Sequence, residues 1–91
     1  MHAAIICRDK PGSSELRKTT REAHLAYVEQ SGVVKIGGPF LDPAGAMVGS
    51  LLILEVPDLA AAAAWAEADP YAQAGLFEEV SVIEWKQVIG A

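Results

Sequence analysis

Proton chemistry in this chain rests on a few side chains. His24 stands in a basic stretch, three residues after Arg21 and seven after Arg17. Histidine's unperturbed pKa of about 6.5 lets it take and return a proton near neutral pH. Asp69 stands in Ala68-Asp69-Pro70-Tyr71, and an aspartate partner fixes a histidine's tautomer and stabilises its charged form without implying a nucleophile. The hydroxyls of Ser50 and Tyr71, with Arg21 or Arg17, suit the holding of a substrate carboxylate or enolate oxygen. These types point to acid/base work on a small anionic or hydroxyaromatic substrate: isomerisation, or elimination that begins with proton abstraction beside a carbonyl or phenol. Each residue also has a plainer reading. His24 can be a core-edge histidine satisfied by a backbone carbonyl, Asp69 an Asp-Pro turn residue bonded to its own backbone, and the cations a solvated helix face.

Other chemistries find less support. Cys7, His24 and Asp69, even with His2, lack a recognisable metal-ligand spacing, and Cys7 in an apolar run reads as packing. Gly37-Gly38-Pro39 leads into a turn, with no helix behind it to receive a phosphate, so no cofactor is expected. Gly38 and Pro39 admit two roles, a bulge or exit turn, or backbone that a ligand approaches closely.

The composition bounds the class. Ninety-one residues make one small domain, residues 1–91, with a thin core. Yet 52% of them are hydrophobic and the mean hydropathy is +0.25, more apolar surface than a small monomer hides, so part of it belongs at a subunit interface. The net charge of −5 and pI of about 4.8 argue against nucleic acid or an anionic membrane as partner. Five of the seven cations (Arg8, Lys10, Arg17, Lys18, Arg21) share one early stretch, whereas ten acids from Glu22 onward face only Lys35 and Lys86. A local basic patch on an acidic chain suits a small anionic ligand. A single cysteine, no signal-like N-terminus and no apolar run of ~18–20 residues suggest a soluble, cytoplasmic protein.

The elements that must position these residues follow from pattern. His2–Cys7 reads as a strand, with Arg8 to Gly12 as its exit loop. Ser13 or Ser14 can cap a helix running to Gln30, where Leu16, Thr20, Ala23 and Tyr27 centre the buried stripe and Gly32 is the stop. Arg17, Arg21 and His24 form a ridge at the rim of that stripe. Val33–Phe40 reads as a second strand closed by Pro39, followed by the turn Asp42-Pro43-Ala44-Gly45. Val48–Val56 is a third strand, apolar on both faces, so one face takes the helices and the other needs a second subunit.

Asp58 caps a second helix, Leu59–Ala68, whose alanines permit close approach to the sheet and whose large anchor is Trp65. Pro70 disfavours helical backbone at Asp69, so the helix stops there with the carboxylate at its C-terminal end, where the dipole disfavours it. A short turn through Gly75 leads to a fourth strand, Glu79–Trp85, with an extension through Val88 and Ile89. The order strand, helix, strand, strand, helix, strand predicts an α+β, ferredoxin-like βαββαβ domain: an antiparallel sheet with both helices on one face.

Arg21-Glu22-Ala23-His24, Gly38-Pro39, Gly49-Ser50, Ala62 through Trp65, Ala68-Asp69-Pro70-Tyr71 with Gly75, and Glu79-Val80-Ser81-Val82 resemble the YciI-like (YCII-related) proteins over nearly the whole chain. The resemblance implies a homodimeric α+β barrel, two such sheets packed face to face with one pocket per subunit, and leaves higher assembly open. It also implies an active pair matching His24 and Asp69. The wider superfamily includes isomerases, lyases and oxygenases acting on small, often aromatic-derived molecules. The segment between Gly38-Pro39 and Gly49-Ser50 is shorter than in some relatives, so loop contacts do not carry over. The resulting expectation is a cofactor-independent lyase or isomerase. The alternatives are a non-catalytic small-ligand-binding or accessory protein using the same pocket, and a structural partner domain. Turnover separates them.

Overall fold

A computed structural model describes residues 1–90. The elements run β1 (His2–Asp9), α1 (Ser14–Ser31), β2 (Val34–Leu41), β3 (Met47–Glu55), α2 (Leu59–Ala68), α3 (Pro70–Gln73) and β4 (Phe77–Trp85). One four-stranded sheet has the order β2-β3-β1-β4, and each neighbouring pair is antiparallel. This is the expected ferredoxin-like α+β fold. No helix among the described residues is long and apolar enough to cross a membrane.

The register separates the two faces of the sheet, because residues directly paired across strands share a face. On the helix side, Ala3, Ile5, Cys7, Leu52 and Leu54 form the core with Ala62, Trp65 and Ala66 from α2. Ala62 and Ala3 are both fully buried, which fits the role expected of the alanines in a close helix–sheet approach. Trp65 ties the helices together. Its ring nitrogen donates to Ser31 Oγ at 3.0 Å, Tyr27 donates to its carbonyl at 2.9 Å, and the two rings lie 4.9 Å apart.

The opposite face is buried at its centre, where Ala4 and Ile53 are 7% and 6% exposed, and open at its edges. One row, Ile36, Ile53, Ala4 and Ile83, crosses all four strands, and its end members Ile36 and Ile83 are 66% and 53% exposed.

Several boundaries differ from expectation. β1 continues two residues past Cys7 to Asp9. β2 runs through Pro39, which pairs with Ser50. Because β2 is an edge strand, a residue without an N–H can be accommodated there. The bulges of β2 fall between Val34 and Ile36 and between Phe40 and Leu41, on either side of the glycines rather than at them. β4 stops at Trp85, which pairs with His2; β1 starts at His2, so Val88 and Ile89 have no strand to join and are exposed.

The first helix differs most. Its buried residues are Arg17 and His24, while Ala23, assigned to the buried stripe, is exposed. The helix turns Arg17 and His24 inward because each meets a buried partner there, Asp9 and Asp69, while Arg21 of the same ridge stays exposed. Ser13 occupies the cap position without a side-chain bond, whereas Asp58 caps α2 as expected, accepting from Ala61 at 2.8 Å. Gly32 ends α1 in the left-handed conformation, φ 67°, where a side chain would be strained.

Candidate active site

The site forms where α1, the α2–α3 junction and the β2–β3 pair converge. Pro70 holds Asp69 out of the helical region, at φ −57° and ψ 127°. The residue therefore ends α2 and caps α3 at once, accepting from the Tyr71 amide at 2.9 Å. The start of α3 supplies the compensation that the C-terminus of α2 denies a carboxylate. The same oxygen, Oδ1, lies 2.8 Å from His24 Nδ1. Both expectations for Asp69 thus hold together: it bonds its own backbone and it faces His24.

This pair is well removed from water, with His24 7% and Asp69 1% exposed. A carboxylate only accepts, so Nδ1 is the donor of this bond, and Nε2 is the ring nitrogen that the bond leaves free. The Tyr71 ring stacks on the imidazole, with centroids 4.1 Å apart and planes at 20°, which fixes the ring further. Burial pushes the Tyr71 phenol above its ordinary value, against the pull of Arg17 and Arg21.

A buried ion pair lies alongside. Arg17 donates from Nε and Nη2 to the two oxygens of Asp9, at 2.7 and 3.0 Å, and from Nη2 to Ser50 Oγ at 2.8 Å. Its guanidinium also lies 4.7 Å from the centre of the Tyr71 ring. Burial opposes the charge on Arg17, but Asp9's hydrogen bond and charge outweigh it, so the guanidinium holds its proton above the ordinary value. Asp9 was not among the residues expected here. Its signal was the alternation Ala3, Ile5, Cys7, which puts Asp9 on the helix face once the strand is carried two residues further.

These groups border a cavity of about 180 Å³, and an apolar cavity of about 150 Å³ takes a benzene ring. The volume therefore suits one substituted six-membered ring. Arg17, Arg21, His24, Ser50, Tyr71, Gly38 and Pro39 all line it, while Asp69 stands behind His24. Leu25, Val28, Val34, Met47 and Leu52 supply apolar wall that the sequence did not single out, as does Gly37. A Cβ at Gly37 would come within 2.8 Å of Leu52 Cδ2, so glycine there keeps the Leu52 wall in place. Cys7, paired with Ser50 across the strands, is buried under the site, and its thiol is pushed up to about 12 by burial and by Asp69, against the pull of Arg17. That disfavours a thiolate nucleophile at neutral pH.

Comparison with known proteins places this geometry. A protein named YciI from Escherichia coli O6:H1 is 42% identical, over 92% of this chain and 95% of its own length. A solved 5-chloro-2-hydroxyhydroquinone dehydrochlorinase from Burkholderia phenoliruptrix AC1100, in complex with 2,5-dihydroxybenzoquinone, is 36% identical. It superposes with a TM-score of 0.88 over 94% of each chain. An antibiotic biosynthesis monooxygenase matches at 16% identity and a TM-score of 0.60, over 97% of this chain and 99% of its own; at that distance it shows the fold alone. The model of the YCII-related domain matches residues 1–86, and the chain belongs to the YCII-related family.

Proposed function

We propose that this protein is a cofactor-independent enzyme that moves protons on a small hydroxylated ring, with elimination of a ring substituent as its reaction and isomerisation as the related outcome. The observation that carries this reading is the buried His24–Asp69 pair, 2.8 Å apart, at the wall of a cavity of one-ring size. Asp69 orients the imidazole and steadies it when charged, and Nε2 takes a proton from a ring hydroxyl. Returning that proton to a ring carbon gives a keto tautomer. From it, loss of a second hydroxyl proton expels the substituent as an anion, so the overall change is loss of one acid, HX. A base that both accepts and returns a proton suits that sequence.

The 36% identical dehydrochlorinase supports hydroxyhydroquinones as the substrate class. The test is chloride release from 5-chloro-2-hydroxyhydroquinone, with other hydroxylated aromatics and small acids screened by thermal shift. A compound bound and recovered unchanged across the panel favours a non-catalytic binding role for the same pocket.

We also propose that two copies pair through the open face of the sheet. Its row Ile36, Ile53, Ala4 and Ile83 is apolar across all four strands, the kind of surface an isologous interface covers. A cytoplasmic setting is part of this proposal, in keeping with one free, buried cysteine.

A further inference from the structure

Arg17 sits in the cavity wall but keeps only Nη1 unengaged, so it cannot offer a substrate its two-nitrogen fork. Its Nε and Nη2 are already engaged with both oxygens of Asp9, and that side chain is 6% exposed. The fork that would grip a substrate carboxylate is thus in use, and its charge is compensated. What Arg17 supplies is orientation. Ser50 Oγ accepts from Nη2, so that lone pair is taken and the hydroxyl proton turns elsewhere. No acceptor for it is found among the described residues, and Ser50 lines the cavity beside His24.

We infer that the Ser50 hydroxyl is the donor to a substrate ring oxygen, and that Asp9, acting through Arg17, is the positioning residue that aims it. The inference rests on the cavity being the substrate site, and it specifies what that site recognises: a carbonyl, phenolate or enolate oxygen on a small ring. The donor chain runs one way, from Arg17 to Ser50 to the substrate, so each bond polarises the next. Its effect is greatest as negative charge gathers on that oxygen, which is when it lowers a barrier. Arg21, exposed at the cavity edge, is left as the cation for a carboxylate.

The test titrates 2,5-dihydroxybenzoquinone and benzoate into the wild type and into Ser50→Ala, Ser50→Thr, Ser50→Val and Asp9→Asn. Chloride release from 5-chloro-2-hydroxyhydroquinone is followed in the same set. Threonine and valine share a shape and differ in the hydroxyl, so this pair isolates the hydrogen bond even if Asp9→Asn fails to fold. Quinone binding should weaken about tenfold in Ser50→Ala and in Ser50→Val, and be retained in Ser50→Thr. Benzoate binding should stay within about twofold throughout. Asp9→Asn should lower kcat about tenfold with KM within about threefold, the split expected of a group felt in the transition state. Equal quinone binding by the threonine and valine variants, or unchanged kcat in both Ser50→Ala and Asp9→Asn, overturns the inference and leaves the enzymatic reading standing. Hydroxyl-dependent binding without chloride release does the reverse. A wild type that binds neither probe overturns both.

Discussion

His24 Nδ1 and Asp69 Oδ1 lie 2.8 Å apart across 45 residues of sequence, and the same oxygen accepts the Tyr71 amide at 2.9 Å. One carboxylate oxygen therefore fixes both a side chain on α1 and the backbone that starts α3. Asp69 thus holds a side chain and a backbone turn at once, and its substitutions separate the two parts.

Asp69→Asn keeps an oxygen for both donors but removes the charge. It should cost little stability, while chloride release falls about 100-fold, within the range attributed to acid/base groups. Asp69→Ala leaves a buried amide and a buried imidazole N–H unpaired, and should lower stability by about 1–3 kcal/mol beyond the asparagine variant. Urea unfolding of both variants checks this. Equal stability of the two would mean that neither the Tyr71 bond nor the His24 bond contributes.

Asp9 and Arg17 are the buried ion pair of the fold. Removing one partner leaves the other charge uncompensated, so Asp9→Ala should cost about 3–5 kcal/mol. The paired change Asp9→Leu with Arg17→Met should recover a large part of that loss, yet leave kcat down about tenfold because Ser50 is no longer oriented. Denaturant midpoints and chloride release on the single and double variants test both halves.

Cys7 couples stability to alkaline pH. In the fold its thiol is pushed from 9.0 to about 12, so the unfolded chain sheds this proton first. The stability contributed by the neutral thiol is complete below pH 9 and lost as pH rises toward 12. Unfolding free energy should fall across that window, and Cys7→Ala should flatten the fall without abolishing it, because the raised phenols of Tyr71 and Tyr27 act in the same direction. At pH 8 a thiol reagent should label Cys7 only as fast as the chain opens. Rapid labelling of the native protein would contradict its burial.

Ile83 tests the open sheet face. At 53% exposure, glutamate at this position stays solvated in a lone subunit but is buried against the partner sheet along the β4 edge of the proposed interface. Sedimentation should show a wild-type dimer at micromolar concentration and a folded Ile83→Glu monomer. A wild type that sediments as a monomer contradicts the proposed pairing.

The element order and the sheet were legible because they rest on local signals: alternation, the Asp58 cap, the Gly32 stop, and Pro70 after Asp69. The phase of α1 was not. A helical wheel ranks residues by hydropathy, and it set Ala23 inside and Arg17 at the rim; Arg17 is buried because Asp9, eight residues earlier, meets it there. Such compensation lies in tertiary pairing, which periodicity does not encode. Asp9 itself was hidden by ending β1 at the polar cluster that follows Cys7. The site was legible as a set of residue types, with Arg21, His24, Ser50 and Tyr71 all at one cavity, but the division of labour between Arg17 and Ser50 needed the hydrogen-bond geometry.

The most direct measurement is chloride release from 5-chloro-2-hydroxyhydroquinone by the wild type and by His24→Ala, with circular dichroism to confirm that both are folded. The proposed chemistry predicts turnover in the wild type and a loss of about 100-fold or more in kcat for the variant. Wild-type turnover that persists undiminished in His24→Ala would contradict it.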